Sequence, residues 1–214
     1  MFMAVQATIR KETSVGTYLN ILAPGVSLIN ELKKHAVDKP LTGELRLDDG
    51  RTISGEQRKK AYATLRDIMV YTGDYPLEAT KEDMKALFYA RSGCDAFSLS
   101  DCSMTTARLF INHLIDFAFE WEIPLMDTVI NRTDDINAAV FASLKHKRCI
   151  LCNSPGETHH WDAIGRGYDR TTYDDNHLRK ICLCRKHHTE AHQIGRAEFE
   201  ERYHVYGIIY NEKG

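Results

Sequence analysis

The sequence predicts an α+β chain in three parts: a small β-containing N-terminal part over residues 1–52, a helical middle domain over 53–145, and a metal-stabilised C-terminal module over 146–214. Three observations lead there. Apolar residues alternate near the N-terminus, they recur at threes and fours through the middle, and cysteine and histidine collect near the C-terminus. Of the six cysteines and ten histidines, four and eight lie in the last 70 residues.

Length and composition set the frame. A chain of 214 residues with 43% hydrophobic residues and both charge signs mixed reads as an ordinary globular protein. Its net charge of -2 gives no global attraction to nucleic acid. From Lys145 to His192, however, nine Lys/Arg face six Asp/Glu, a local bias of +3. The start lacks an apolar core of signal-peptide length, and no run approaches the ~18 apolar residues of a membrane span. The expectation is a cytoplasmic protein, where clustered cysteines signal metal more often than disulfides. Cys94 and Cys102, apart from the cluster, read as plain thiols.

In the first part, residues 2–9 alternate loosely and suggest a strand, and residues 18–22 a second, stopped by Pro24-Gly25. Residues 26–35 carry a short helical pattern and 41–47 a strand pattern. Asp48-Asp49-Gly50 is turn chemistry.

The middle opens on Ser54, an N-cap ahead of Glu56 and Gln57. Ala61, Leu65, Ile68 and Met69 follow at helical spacing, and Gly73 ends the run. Residues 80–91 form a second helix closed by Gly93. The strongest helix starts at Asp101 or Ser103 and ends at Trp121, with Met104, Ala107, Ile111, Leu114, Ala118 and Trp121 as its packing stripe. Residues 132–145 read as a fourth helix. By pattern alone this is a supporting or dimerising bundle, so a homodimer is among the expectations. The stretch from Ser54-Gly55-Glu56-Gln57-Arg58-Lys59-Lys60 to Ser103-Met104-Thr105-Thr106-Ala107 also resembles the NinB/Orf family of phage recombination proteins, over roughly residues 40–125. The resemblance implies binding of single-stranded DNA beside recombination or single-strand-binding proteins. It makes Arg58, Lys59 and Lys60 candidate phosphate contacts.

The C-terminal part carries the chemistry. Cys149-x2-Cys152 and Cys184-x2-His187 form two half-sites 31 residues apart, which together supply a Cys3His tetrahedron for structural Zn2+. Cys182 lies two residues before Cys184 and, on a strand, would share its face, so either can be the third ligand. The repeated two-residue gap favours Cys184. His188 and His192 stand four apart at the start of a helix and project toward one point, spacing that suits a second divalent metal. His159 and His160 are adjacent, so on an extended segment one joins that metal while the other faces substrate. A metal beside a free imidazole is the minimum equipment for hydrolysing a phosphodiester. After the motif, residues 197–203 continue as helix and 205–210 end as a short strand.

The order His-His, loop, strand and helix bearing His-x3-His, framed by zinc knuckles, resembles the HNH endonucleases and their ββα-metal fold. Residues 146–206 carry the likeness, most specifically Leu183-Cys184-Arg185-Lys186-His187-His188-Thr189-Glu190-Ala191-His192. The resemblance implies His159, His188 and His192 as ligands of a catalytic Mg2+ or other divalent metal, His160 as general base, and DNA as substrate. The family places an asparagine near what is here Arg179. Asn176, with His177 in reserve, is the nearest candidate for that role. Arg166, Arg170, Lys180, Arg185 and Lys186 are candidate phosphate contacts. The expected function is therefore a metal-dependent endonuclease in phage or prophage DNA recombination or processing, acting on single-stranded or branched DNA. The alternative is a non-catalytic zinc-containing DNA-binding recombination mediator. A thiol redox protein is disfavoured, because Cys149-x2-Cys152 lacks a βαβ setting.

Overall fold

The computed structural model describes residues 6–14, 16–22, 50–73, 76–162 and 176–211. Strands β1 (Gln6–Thr13) and β2 (Gly16–Leu22) form an antiparallel hairpin, in register from Gln6↔Leu22 to Thr13↔Gly16 with an irregularity between Ile9 and Lys11. The first strand runs further than its alternation predicts, because the turn sits at Ser14, where Thr13 Oγ1 donates to the Gly16 carbonyl at 2.8 Å. The helix expected over 26–35, the strand over 41–47 and the turn at 48–49 lie outside the described residues.

Helix α1 (Gly55–Thr72) begins as its sequence signals. Gln57 N donates to Ser54 Oγ and Ser54 N to Gln57 Oε1, both at 3.1 Å, a closed capping box that satisfies two otherwise orphaned donors. Helix α2 (Leu77–Ser92) ends on Gly93 in the left-handed region (φ 66°), where glycine carries no Cβ penalty. Helix α3 (Met104–Glu120) is capped by Ser103 and buries Ala107, Phe110, Ile111, Leu114 and Ala118. Trp121 does not complete that stripe: it follows the helix end and is 58% exposed, while Ile123 takes the fully buried place.

The fourth expected helix is two. Helix α4 (Val129–Arg132) is separated from α5 (Ile136–Lys145) by a break in which Asp135 N donates to Thr133 Oγ1 at 2.9 Å and Ala138 N to Asp135 Oδ1 at 3.1 Å. Asp135 is thus an N-cap inside what the spacing reads as continuous helix. Arg132, just before the break, forms a buried ion pair with Asp67 of α1 at 2.9 Å.

The C-terminal module consists of β3 (Glu157–His160), β4 (Arg179–Leu183), α6 (Arg185–Ile194), α7 (Arg196–Tyr203) and β5 (Ile208–Ile209). Its sheet is antiparallel in the order β3-β4-β5. Helix α5 packs against both α3 and β4. The hydrophobic core therefore crosses the expected boundary at 145/146 without a break, from Leu65, Phe110 and Leu114 through Leu144 to Ile150, Ile181 and Phe199. Among the described residues no helix is long and apolar enough to cross a membrane.

Candidate active site

The first knuckle is a tight backbone turn. Asn153 N donates to the Cys149 carbonyl at 2.9 Å with Asn153 in the left-handed region (φ 55°), and Cys149 N donates to the Ser154 carbonyl at 2.8 Å. Gly156 follows, and a Cβ there would lie 2.8 Å from Cys182 Sγ and 3.1 Å from Cys149 N, so only glycine lets the chain pass. Ile150 N donates to the Cys182 carbonyl, which ties this knuckle to β4. The second knuckle forms where β4 gives way to α6, with Cys184 at the N-cap position and His187 in the first turn.

These turns bring Cys149, Cys152, Cys184 and His187 together, with their ligand atoms within 4.8 Å of one another. His187 Nδ1 lies 3.4 Å from Cys149 Sγ and 3.3 Å from Cys184 Sγ, and Cys152 Sγ lies 3.7 Å from Cys184 Sγ. A zinc tetrahedron built from the usual Zn–S and Zn–N bond lengths has edges of about 3.5 Å (S to N) and about 3.8 Å (S to S). The donors fit that ion. Burial pushes the Cys149 thiol up to about 12, so its thiolate needs a neighbouring cation to persist. Cys182 resolves the other way: fully buried in β4, its thiol pushed up to about 12 by burial, it stands outside the cluster as a packing residue.

The second cluster is His159, His188 and His192. Strand β3 presents His159, and α6 presents the other two from one face, four residues apart. The His159 ring centroid lies 4.6 Å from that of His188 and 4.9 Å from that of His192. His188 Nε2 and His192 Nε2 are 3.1 Å apart, close to the ~3.0–3.4 Å between two nitrogens that share one cation at ~2.1 Å. Burial first, and then the neighbouring imidazoles, push His159 down to about 4. It is therefore neutral near pH 7 and offers a lone pair.

Glu157 has no place in the sequence reading, yet it completes this group. Its Oε1 lies 2.6 Å from His188 Nδ1. A carboxylate on Nδ1 fixes the proton there and leaves Nε2 as the ligand atom, the usual outer support of a metal-binding histidine. The hydrogen bond to His188 also draws the Glu157 carboxyl below its ordinary range. Two residues beyond β3, Asp162 gathers two arginines: Arg179 Nη2 at 2.6 Å and Arg196 Nη1 at 3.1 Å. Arg179 is the main reason the Asp162 carboxyl is held down to about 2.

The remaining candidates are placed as follows. His160, the last residue of β3, is half-buried, pairs with Lys180 and stands outside the three-histidine cluster. Asn176 and His177 are exposed in the turn before β4, where the Asn211 amide donates to Asn176 Oδ1 at 3.0 Å. Arg185 and Lys186 are exposed on the first turn of α6. Lys180 corrects the expectation of a phosphate contact: it is buried (4% exposed) with Nζ donating to the Tyr210 carbonyl at 3.1 Å, because its position in β4 faces the protein. Arg166 and Arg170 lie outside the described residues. In the helical part, Arg58 donates to the Leu99 and Ser100 carbonyls, while Lys59 pairs with Glu56 and Lys60 with Asp134. Those contacts tie the three cations to their own fold.

The family described as "Putative HNHc nuclease" matches the chain over residues 27–213. The chain belongs to this family. Both cysteine and histidine clusters fall within the matched span, as does the helical middle. Membership in the HNHc family suggests nuclease activity and DNA as substrate; the match shows no relationship of the helical region to NinB/Orf. No curated protein and no solved structure matches the chain significantly.

Proposed function

We propose that this HNHc-family chain is a metal-dependent endonuclease that hydrolyses DNA phosphodiester bonds. The observation that carries the reading is the convergence of His159, His188 and His192, with Glu157 behind His188, next to a fourth histidine on the same strand. Three imidazole nitrogens suit a first-row transition cation better than Mg2+, which prefers oxygen; Mg2+ or another divalent metal is what the family resemblance implies. Such a cation, when bound, stabilises charge on the phosphate and on the departing oxygen. His159, His188 and His192 hold it, and Glu157 keeps the His188 ring oriented.

His160 takes the proton from the attacking water at a ring nitrogen and passes it to solvent afterwards. Asn176, with His177 in reserve, orients that imidazole or the loop that carries it. Cys149, Cys152, Cys184 and His187 hold structural Zn2+ and so fix the start of α6, from which His188 and His192 project. Arg185 and Lys186, with Arg166 and Arg170 from outside the described residues, engage flanking phosphates. The residues assign no preferred DNA form; single-stranded or branched DNA and a phage recombination setting rest on the NinB/Orf-like pattern alone.

His160→Ala tests the reading. Plasmid nicking with Mg2+ or Mn2+ is expected to fall by about 10²–10⁴-fold, the usual contribution of a general base. Zinc content and DNA affinity persist. A wild-type chain that nicks no linear, single-stranded or branched DNA with any divalent metal overturns it in favour of a zinc-containing DNA-binding mediator.

A further inference from the structure

Strand β3 ends at His160, yet its pairing with β4 continues past that residue. His160 pairs with Lys180, and Trp161 N then donates to the Arg179 carbonyl at 2.8 Å. One residue on, the Asp162 side chain replaces the backbone as acceptor. Its Oδ2 accepts from Arg179 N at 3.1 Å and from Arg179 Nε at 3.0 Å, and its Oδ1 accepts from Arg179 Nη2 at 2.6 Å. The two side-chain bonds form a bidentate carboxylate–guanidinium pair, which fixes orientation as well as adding energy. Arg196, the first residue of α7, donates from Nη1 to Oδ1 at 3.1 Å. One carboxylate therefore ties the end of β3 to the start of β4 and the start of α7.

The residue between His160 and this carboxylate is fixed as well. Trp161 is buried, and its ring meets Phe199 of α7 edge-on with centroids 6.2 Å apart. A Cβ on Gly207 would come within 2.4 Å of Trp161 Cβ, so the chain entering β5 closes directly on the indole. Across the ladder, Lys180 is buried and donates to the Tyr210 carbonyl. The backbone of His160 is thus held by Lys180 on one side and by Trp161 and Asp162 along the chain. A partly exposed ion pair contributes ~0–1 kcal/mol to stability, whereas misplacing a catalytic group by ~1 Å costs ~10²-fold in rate. The larger effect of such a clamp is on position.

We infer that Asp162, clamped by Arg179 and Arg196, is a positioning residue for His160: it fixes the strand end that carries the imidazole. The inference rests on the endonuclease reading with His160 as general base. It is tested on the full zinc-loaded chain. Asp162→Ala removes the acceptor from both guanidiniums; Asp162→Asn removes the charge but keeps one acceptor oxygen, and serves if the alanine variant does not fold. Two readouts are taken. The first is the His160 ring resonances by NMR, assigned by their loss in His160→Ala and recorded without added divalent metal. The second is kcat and KM for plasmid nicking with Mn2+.

In Asp162→Ala the His160 resonances are expected to shift or broaden while those of His146, bonded to Asp116 on α3, hold. With them kcat is expected to fall by about 10–100-fold, and KM to stay within about twofold. Asp162→Asn is expected to show both changes at smaller size. Once His160→Ala has removed the base, Asp162→Ala is expected to cost less than about threefold more, because both substitutions then remove the same contribution. Unmoved His160 resonances, an unchanged kcat, or a full second loss in the His160→Ala background overturns the inference. So does a rise in KM at unchanged kcat, which would make Arg179 and Arg196 phosphate contacts instead. A wild type that nicks no DNA defeats the endonuclease reading and this inference with it; a wild type that nicks, with Asp162 variants as active, defeats this inference alone.

Discussion

Cys182 and Cys184 sit two residues apart, and replacing each by alanine separates a ligand from a packing residue. Cys184 Sγ lies 3.3 Å from His187 Nδ1 and 3.7 Å from Cys152 Sγ, at two edges of the tetrahedron. Structural zinc contributes about 10–16 kcal/mol to the folding of small zinc modules, as much as the entire ~5–15 kcal/mol net stability of a domain. Cys184→Ala is therefore expected to lose zinc, and with it cooperative folding of residues 146–211. Cys182 is fully buried, with Sγ in the space a Cβ on Gly156 would approach to 2.8 Å. Cys182→Ala leaves a small void there, costs about 1 kcal/mol, and lowers Tm by about 2–4 °C with one zinc retained. Zinc per chain by atomic absorption, paired with thermal unfolding, reads both. Loss of zinc from Cys182→Ala while Cys184→Ala keeps a full equivalent would refute the ligand assignment.

Three further outcomes are expected. Glu157→Gln weakens Mn2+ binding at the histidine cluster by about 10–100-fold in calorimetry, as loss of an outer carboxylate does, and leaves zinc untouched; unchanged affinity removes Glu157 from the site. His113 is held near 4 against an ordinary 6.5, so between those values the unfolded chain takes up a proton that the folded chain refuses. Stability should thus fall as pH drops, by on the order of 2 kcal/mol between pH 8 and 5, and His113→Phe should remove that part of the slope in urea titrations. Equal slopes for wild type and variant would speak against it. Asp67→Ala strands the buried Arg132 guanidinium and should destabilise the fold by about 3–5 kcal/mol, whereas a loss under 1 kcal/mol by urea denaturation would show that water reaches the pair.

What could be read in advance was whatever depends on short spacing. Ser54 as a cap, Gly93 as a stop, the paired half-sites and the four-residue step from His188 to His192 are local patterns with local causes. The break before Asp135 escaped because its cap is made by a residue that also fits the helical spacing, with no glycine or proline to mark it. Glu157 escaped because its partner His188 is 31 residues away, and only the β3–β4 pairing and the start of α6 bring them together. Lys180 misled for the opposite reason: basicity is visible in a sequence, but the face a strand turns inward depends on what packs over it. The joining of Asp162 to Arg179 and Arg196 has no sequence signature either, since its partners are 17 and 34 residues away.

His187 and His188 are consecutive, one assigned to each cluster. A single peptide bond in the first turn of α6 therefore joins the two clusters, and a backbone shift at one carries the other with it. Thermodynamics makes such a junction symmetric: whatever factor zinc adds to the affinity of the histidine cluster, a cation in that cluster must return to zinc. On the proposed assignment, loss of zinc from the first cluster would change cation affinity at the second while its own three histidines stay in place.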